Sequence, residues 1–197
     1  MDFGKYPRTL PPPRLRSGPH VSTVGIVPKT TPPALCIRLA HEEDLPAINA
    51  IYNHYVEHCT CTYQTVPETA EARRAWFRGH EPRHPVTVAE LDGEVVGWAA
   101  LNIYNARGAY EHTVEDSVYV RHDRHGRGIG RALLSDLITR ARFLHHHTIL
   151  AGISAEQAPS IAAHAALGFV KVAHFRELGF KHGKWLDVVF MQLMLEA

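Results

Sequence analysis

The feature that most constrains this chain is a glycine turn between a strand-like run and an amphipathic helix. It reads Val118-Tyr119-Val120-Arg121-His122-Asp123-Arg124-His125-Gly126-Arg127-Gly128-Ile129-Gly130-Arg131. Alternate glycines let the backbone turn tightly and approach a ligand closely, while several N–H groups gather where the helix begins. The helix dipole adds positive potential at that point. Arg124, Arg127 and Arg131 add full charges for an anionic ligand. Such a segment predicts a phosphate cradle.

Two familiar phosphate-binding patterns fail on spacing. The dinucleotide fingerprint needs a glycine where this chain has Arg131, and the P-loop's Gly-Lys-Ser/Thr is absent. Taken alone, the glycines fit a purely structural turn equally well.

The elements on either side set the fold class. Ile37–Ala40 reads as a short strand, and Glu42–His58 as a helix with Leu45, Ile48, Ile51, Tyr52 and Tyr55 at helical spacing. Pro67-Glu68-Thr69 opens a second helix through Trp76 and Phe77. Pro85–Glu90, the Asp92-Gly93 turn and Val95–Asn102 form a hairpin signal, followed by a strand over His112–Val120. The helix after the glycines runs to about Phe143, with Leu133, Leu134, Leu137, Ile138 and Ala141 in one stripe. A strand over Thr148–Ile153, a helix over Ser160–Leu167 stopped by Gly168, and strands at Phe169–Phe175 and Asp187–Leu195 complete the order. A glycine-containing loop is expected between those last two strands. The order predicts an α/β (α+β) domain on one mixed sheet, not a doubly wound array.

Residues 1–35 are proline-rich, with the run Pro11-Pro12-Pro13, and read as a tail ahead of one domain over 36–197. The 197 residues suit one well-cored domain, and a net charge of +1 gives no general case for nucleic acid or an anionic membrane. No apolar run is long enough for a membrane span. Cys36, Cys59 and Cys61 form no disulfide or zinc framework, so they read as free buried thiols in a reducing, cytoplasmic compartment. The His145-His146-His147 run lacks neighbouring carboxylates or cysteines, and no metal is expected there.

The glycine segment resembles motif A of the GNAT N-acetyltransferase superfamily, whose pattern binds the pyrophosphate of acetyl-CoA. Here His125 occupies the position that is usually Arg or Gln. The resemblance extends over residues 36 to about 195. Tyr52-Asn53-His54-Tyr55, Ala109-Tyr110, Thr113–Val120, His164-Ala165-Ala166-Leu167-Gly168-Phe169 and Lys181–Asp187 look like the phosphinothricin acetyltransferase branch, which includes methionine sulfone and sulfoximine acetyltransferases.

That resemblance implies a GNAT fold, a central and mostly antiparallel mixed sheet flanked by helices. It implies acetyl-CoA as co-substrate, a small amino-acid-like amine as acceptor, and a homodimer. Glu115 falls on the catalytic glutamate, a carboxylate suited to taking the proton from an amine that is charged at neutral pH. His164 falls on a position suited either to protonating the departing thiolate or to orienting substrate. Val118, Tyr119 and Val120 are expected to offer backbone groups to the amide-rich arm of the cofactor, and His125, Gly126, Arg127, Gly128, Ile129, Gly130 and Arg131 to hold its pyrophosphate. Gln157 and Ser160 fall on the cofactor side. Arg107 and Tyr110 fall where the acceptor's acid groups are held, and Tyr63 lines the same pocket or is a core tyrosine. Two other readings stay open: acetylation of protein or peptide N-termini, which needs an open groove, and a non-catalytic CoA-binding module, which would dispense with Glu115.

Overall fold

The computed structural model describes Met1, residues 35–80 and residues 82–195. The proline-rich segment read as a tail lies outside the described residues, apart from its two ends. The described chain forms β1 (Cys36–Leu39), α1 (Leu45–His58), α2 (Ala70–Arg78), β2 (Val86–Leu91), β3 (Glu94–Ile103) and β4 (Thr113–Val120). It continues with α3 (Ile129–Phe143), β5 (Thr148–Ser154), α4 (Ala158–Ala165), β6 (Val170–Lys181) and β7 (Lys184–Met194).

The strands make one sheet of seven in the order β1-β2-β3-β4-β5-β7-β6. Only β4 and β5 pair in parallel; every other neighbour is antiparallel. This is the mixed α/β sheet expected from the sequence.

Each face of the sheet has its own core. On one face α3 and α4 bury Leu133, Leu134, Leu137, Ile149 and Phe169 against the strands. On the other, α1 packs Ile48, Ile51 and Tyr55 against Val88, Trp98 and Ala100. Strand alternation divides them: Trp98 and Ala100 of β3 face α1, while Ala99 and Leu101 face α3. Leu133, Leu134 and Leu137 are buried to 1% exposure or less, each contributing about 1.5–3 kcal/mol of hydrophobic stabilisation.

Three expectations need correction. The helix read from Glu42 begins at Leu45, because Glu42–Asp44 form a tighter 3-10 turn before Pro46 in the first helical turn. The glycine-containing loop expected after Phe175 is ladder: β6 and β7 pair up to Lys181↔Lys184 around a His182-Gly183 turn whose φ angles are 51° and 76°. Positive φ at both central residues matches the right-handed twist of a hairpin, so two residues suffice where a loop was read. The cysteines are free, but Cys36 is exposed and Cys59 and Cys61 are only half-buried.

Candidate active site

The site begins where β4 and β5 part. Their parallel pairing covers Thr113↔Thr148, Val114↔Ile149 and Glu115↔Leu150 and stops there, although β4 runs on to Val120 and β5 to Ser154. On its other edge β4 stays paired with β3 from Val114 to Val120. Among the described residues the edge of β4 facing β5 therefore has no strand partner beyond Glu115, and its backbone groups suit an amide-bearing chain that adds as a strand.

That edge leads into the glycine turn. Gly126 and Gly128 have φ of 74° and 77°, a left-handed conformation that costs other residues about 1–2 kcal/mol. A Cβ on either would meet nothing within 4 Å, so backbone conformation, not crowding, calls for glycine. Gly128 is the N-cap of α3 and supplies no side-chain cap. The first N–H groups of α3 are thus open to an external acceptor, which fits a pyrophosphate. Of the arginines, Arg124 lies 3.6 Å from Asp123 and 3.9 Å from Glu94. Arg127 and Arg131 are exposed and in no ion pair among the described residues.

His125 turns its side chain back toward α1. Its Nε2 lies 2.6 Å from the Tyr55 hydroxyl, which donates to the Val120 carbonyl. The side chain of His125 thus ties the turn to α1. Val120's carbonyl is already engaged, whereas Val118 and Tyr119 carry the strand edge toward Glu115.

Alternation along β4 splits its polar residues between faces. Val114 and Val118 pack into the α3–α4 core, so Glu115 and Tyr119 face the α1 side and Asp116 faces α4. Glu115 lines a cavity of about 350 Å³, within the usual range for small-ligand sites. Tyr63, Leu178, Phe180, Val188 and Phe190 supply apolar wall. Gly152 keeps room for the carboxylate, since a Cβ there would sit 3.1 Å from Glu115 Oε1. Burial, and then the neighbouring Asp116, push the Glu115 carboxyl above the ordinary glutamate range.

On the opposite face His164 and Asp116 form a buried pair, with side chains 7% and 3% exposed. His164 Nε2 lies 2.9 Å from Asp116 Oδ2, and Nδ1 lies 2.7 Å from the Ser160 carbonyl. Both partners accept, so the geometry suits an imidazolium donating from both nitrogens. Desolvation draws the His164 pKa down, but the Asp116 hydrogen bond and charge and the Ser160 carbonyl together raise it. His164 does not line the Glu115 cavity.

The remaining expected residues divide. Tyr63 lines the cavity with Glu115 and donates to the Asp187 carbonyl at 3.2 Å. Arg107 and Tyr110 do not line it; both are exposed on the β3–β4 connection. Tyr110 meets Tyr104 edge-on at 5.5 Å, and Tyr104 borders a second cavity sharing Leu178 and Phe190 with the first. Gln157 is the N-cap of α4, with its amide 3.6 Å from Cys59 Sγ, and Ser160 lies on α4. Among the described residues no group of three potential metal ligands gathers, and His146 packs with Nε2 2.8 Å from the Arg83 carbonyl.

Sequence reasoning missed the residues of the β6–β7 hairpin, because Leu178, Gly179 and Phe180 fell in a stretch read as loop. It also missed Asp116, whose only signal was being a carboxylate in a strand otherwise bound for the core.

The model of the acetyltransferase (GNAT) family matches residues 48–169. The chain belongs to that family, and its sheet and helices are the GNAT fold. It is 40% identical over 163 residues to the L-amino acid N-acyltransferase MnaT of Escherichia coli (strain K12), covering 82% of this chain and 95% of that one. It is 39% identical over 166 residues to the phosphinothricin N-acetyltransferase of Alcaligenes faecalis, covering 83% and 84%. Among solved structures, yncA of Salmonella typhimurium, a putative acetyltransferase with its cofactor acetyl-CoA, superposes with a TM-score of 0.80 at 40% identity, covering 83% of this chain and 95% of that one.

Proposed function

We propose that this chain transfers the acetyl group of acetyl-CoA to the α-amine of a small amino-acid-like acceptor, in the class of phosphinothricin, methionine sulfoximine or methionine sulfone, with Glu115 as the base. The carrying observation is a half-buried carboxylate at the point where β4 and β5 part, in line with an uncapped glycine turn.

Bound acetyl-CoA supplies an acetyl group activated as a thioester. Its pyrophosphate is held by the backbone of His125–Arg131, with Arg127 and Arg131 as counter-charges, and its amide arm lies along Val118 and Tyr119. Gln157 and Ser160 border that arm. Glu115 takes the proton from the acceptor's ammonium, freeing the lone pair to attack the thioester carbonyl directly; the C–N bond forms, the C–S bond breaks, and CoA leaves as a thiolate that takes up a proton, with no covalent enzyme intermediate. Elevation of the Glu115 pKa makes the carboxylate a better proton acceptor. Arg107 and Tyr110 meet the acceptor's acid group outside the Glu115 cavity. His164 acts through Asp116: with both ring nitrogens engaged, it positions β4 behind Glu115.

The chain functions as one catalytic domain behind a proline-rich tail, in the cytoplasm, as a homodimer. Support for the dimer comes from β6, an edge strand whose Val170, Val172 and Phe175 are 48–61% exposed.

The test is a panel of amines with acetyl-CoA, following thiol release, for wild type and Glu115→Gln. Acetylation of small amino-acid analogues, with kcat/KM about 10²–10⁴-fold lower in the variant, is expected. Binding of acetyl-CoA with no amine turned over would leave only the CoA-binding module.

A further inference from the structure

The β6–β7 hairpin carries a contact that the assignments above do not use. A Cβ on Gly179 would fall 2.3 Å from both Cδ1 and Cε1 of Tyr63, far inside van der Waals contact. The φ of Gly179 is not in the left-handed region, so its backbone would admit any residue. Glycine is needed there for the Tyr63 ring, whose Cδ1–Cε1 edge is turned toward the strand.

Both partners of this contact are held. Strand β6 bulges between Phe175 and Gly179, with Glu177 at a φ of 50°. Asp187 across the hairpin pins the bulge: one carboxylate oxygen accepts from the Glu177 N–H at 2.9 Å and the other lies 2.8 Å from His174 Nε2. The Asp187 carbonyl accepts from the Tyr63 hydroxyl. The segment carrying Tyr63 is tied to the same hairpin by buried Lys181, which donates to the Thr62 carbonyl at 2.8 Å. Thr60 and Lys184 meet on Glu156, at 2.8 and 2.7 Å.

The cavity wall is chemically one-sided. Among the described residues Glu115 is its one charged side chain, and no cation lines it. An anionic group pushed between Tyr63, Phe180 and Phe190 would lose water and face Glu115 without a counter-charge.

We propose that Gly179 is a specificity-determining position of the acceptor pocket, seating the Tyr63 ring so that the acceptor's side chain, lying against the apolar wall of the Glu115 cavity, must be uncharged and of limited bulk. The proposal rests on the acetyltransferase reading. It narrows the acceptor to amino acids with neutral side chains, such as methionine, its sulfone or leucine, over those with a second acid group.

The full chain is tested with acetyl-CoA and five acceptors: methionine sulfone and leucine as the neutral pair, glutamate and phosphinothricin as the anionic pair, and phenylalanine as a bulkier neutral one. The wild type is expected to favour the neutral pair by about tenfold or more in kcat/KM. Gly179→Ala should raise KM for the neutral acceptors about tenfold, with KM for acetyl-CoA within about twofold of wild type. In a Tyr63→Ala background, which has no ring to displace, the same substitution should have little effect. Tyr63→Ala alone should raise the relative kcat/KM of phenylalanine, a bulkier neutral acceptor, and this arm holds even if Gly179→Ala fails to fold. Turnover with the anionic pair preferred, or an equal Gly179→Ala effect with and without the ring, overturns this proposal alone. Turnover of no amine overturns the acetyltransferase reading and this proposal with it.

Discussion

Glu115 and Asp116 are adjacent carboxylates with opposite surroundings, and the alternation of β4 is the cause. Glu115 faces a cavity, and burial followed by Asp116 raises its pKa. As the required base it must be ionised, so kcat/KM should climb with pH through a value above the ordinary glutamate range of about 4.3. That limb should vanish from the residual rate of Glu115→Gln in a pH-rate profile. Asp116 instead faces His164, and the pair is buried. Asp116→Asn removes the carboxylate that holds His164 charged, so it should lower stability by about 1–3 kcal/mol in urea unfolding. The His164 pKa is raised in the folded chain, so its contribution is complete below the unfolded value of about 6.5 and is lost as pH rises through the folded value. Stability of the wild type should fall across that alkaline interval, and that of His164→Gln should not. The strand that carries Glu115 is legible from its alternation, and Glu115 itself from the motif shared with the phosphinothricin acetyltransferase branch. Its division of labour with Asp116 depends on which helix covers which face.

At the scale of elements, the start of α3 carries the cofactor reading. Gly128 is in the left-handed region and leaves the helix uncapped. Gly128→Ala should destabilise the fold by about 1 kcal/mol through backbone strain. It should raise KM for acetyl-CoA more than KM for the acceptor, measured by varying each substrate in turn. A rise confined to the acceptor would detach the turn from the cofactor. This element was readable because its glycine spacing and apolar stripe are local properties. The β6–β7 hairpin was not: its charged and glycine-rich middle resembles a loop, and a bulge pinned by Asp187 keeps it in register.

For the whole molecule, assembly turns on the edge of the sheet. Strand β6 has 12 residues, stands at the end of the strand order, and exposes apolar side chains along its length. An unpartnered apolar edge of that length favours pairing with a second copy. Val170→Lys, placed on that edge and lining neither cavity, should shift the protein from dimer toward monomer in sedimentation velocity. If the wild type sediments as a monomer, the dimer is wrong.

The glycine turn, the helix behind it, the strand bearing Glu115 and the mixed α/β order are written in the amino-acid sequence. Each rests on φ preferences or on hydrophobic spacing within about ten to fifteen residues, which the chain states locally. Long-range packing alone brings Tyr63 to Gly179 and His164 to Asp116, and leaves Arg107 outside the Glu115 cavity. Those contacts join residues far apart in the chain, so their geometry follows from how the sheet, its bulge and its covering helices pack together, and no local pattern records it.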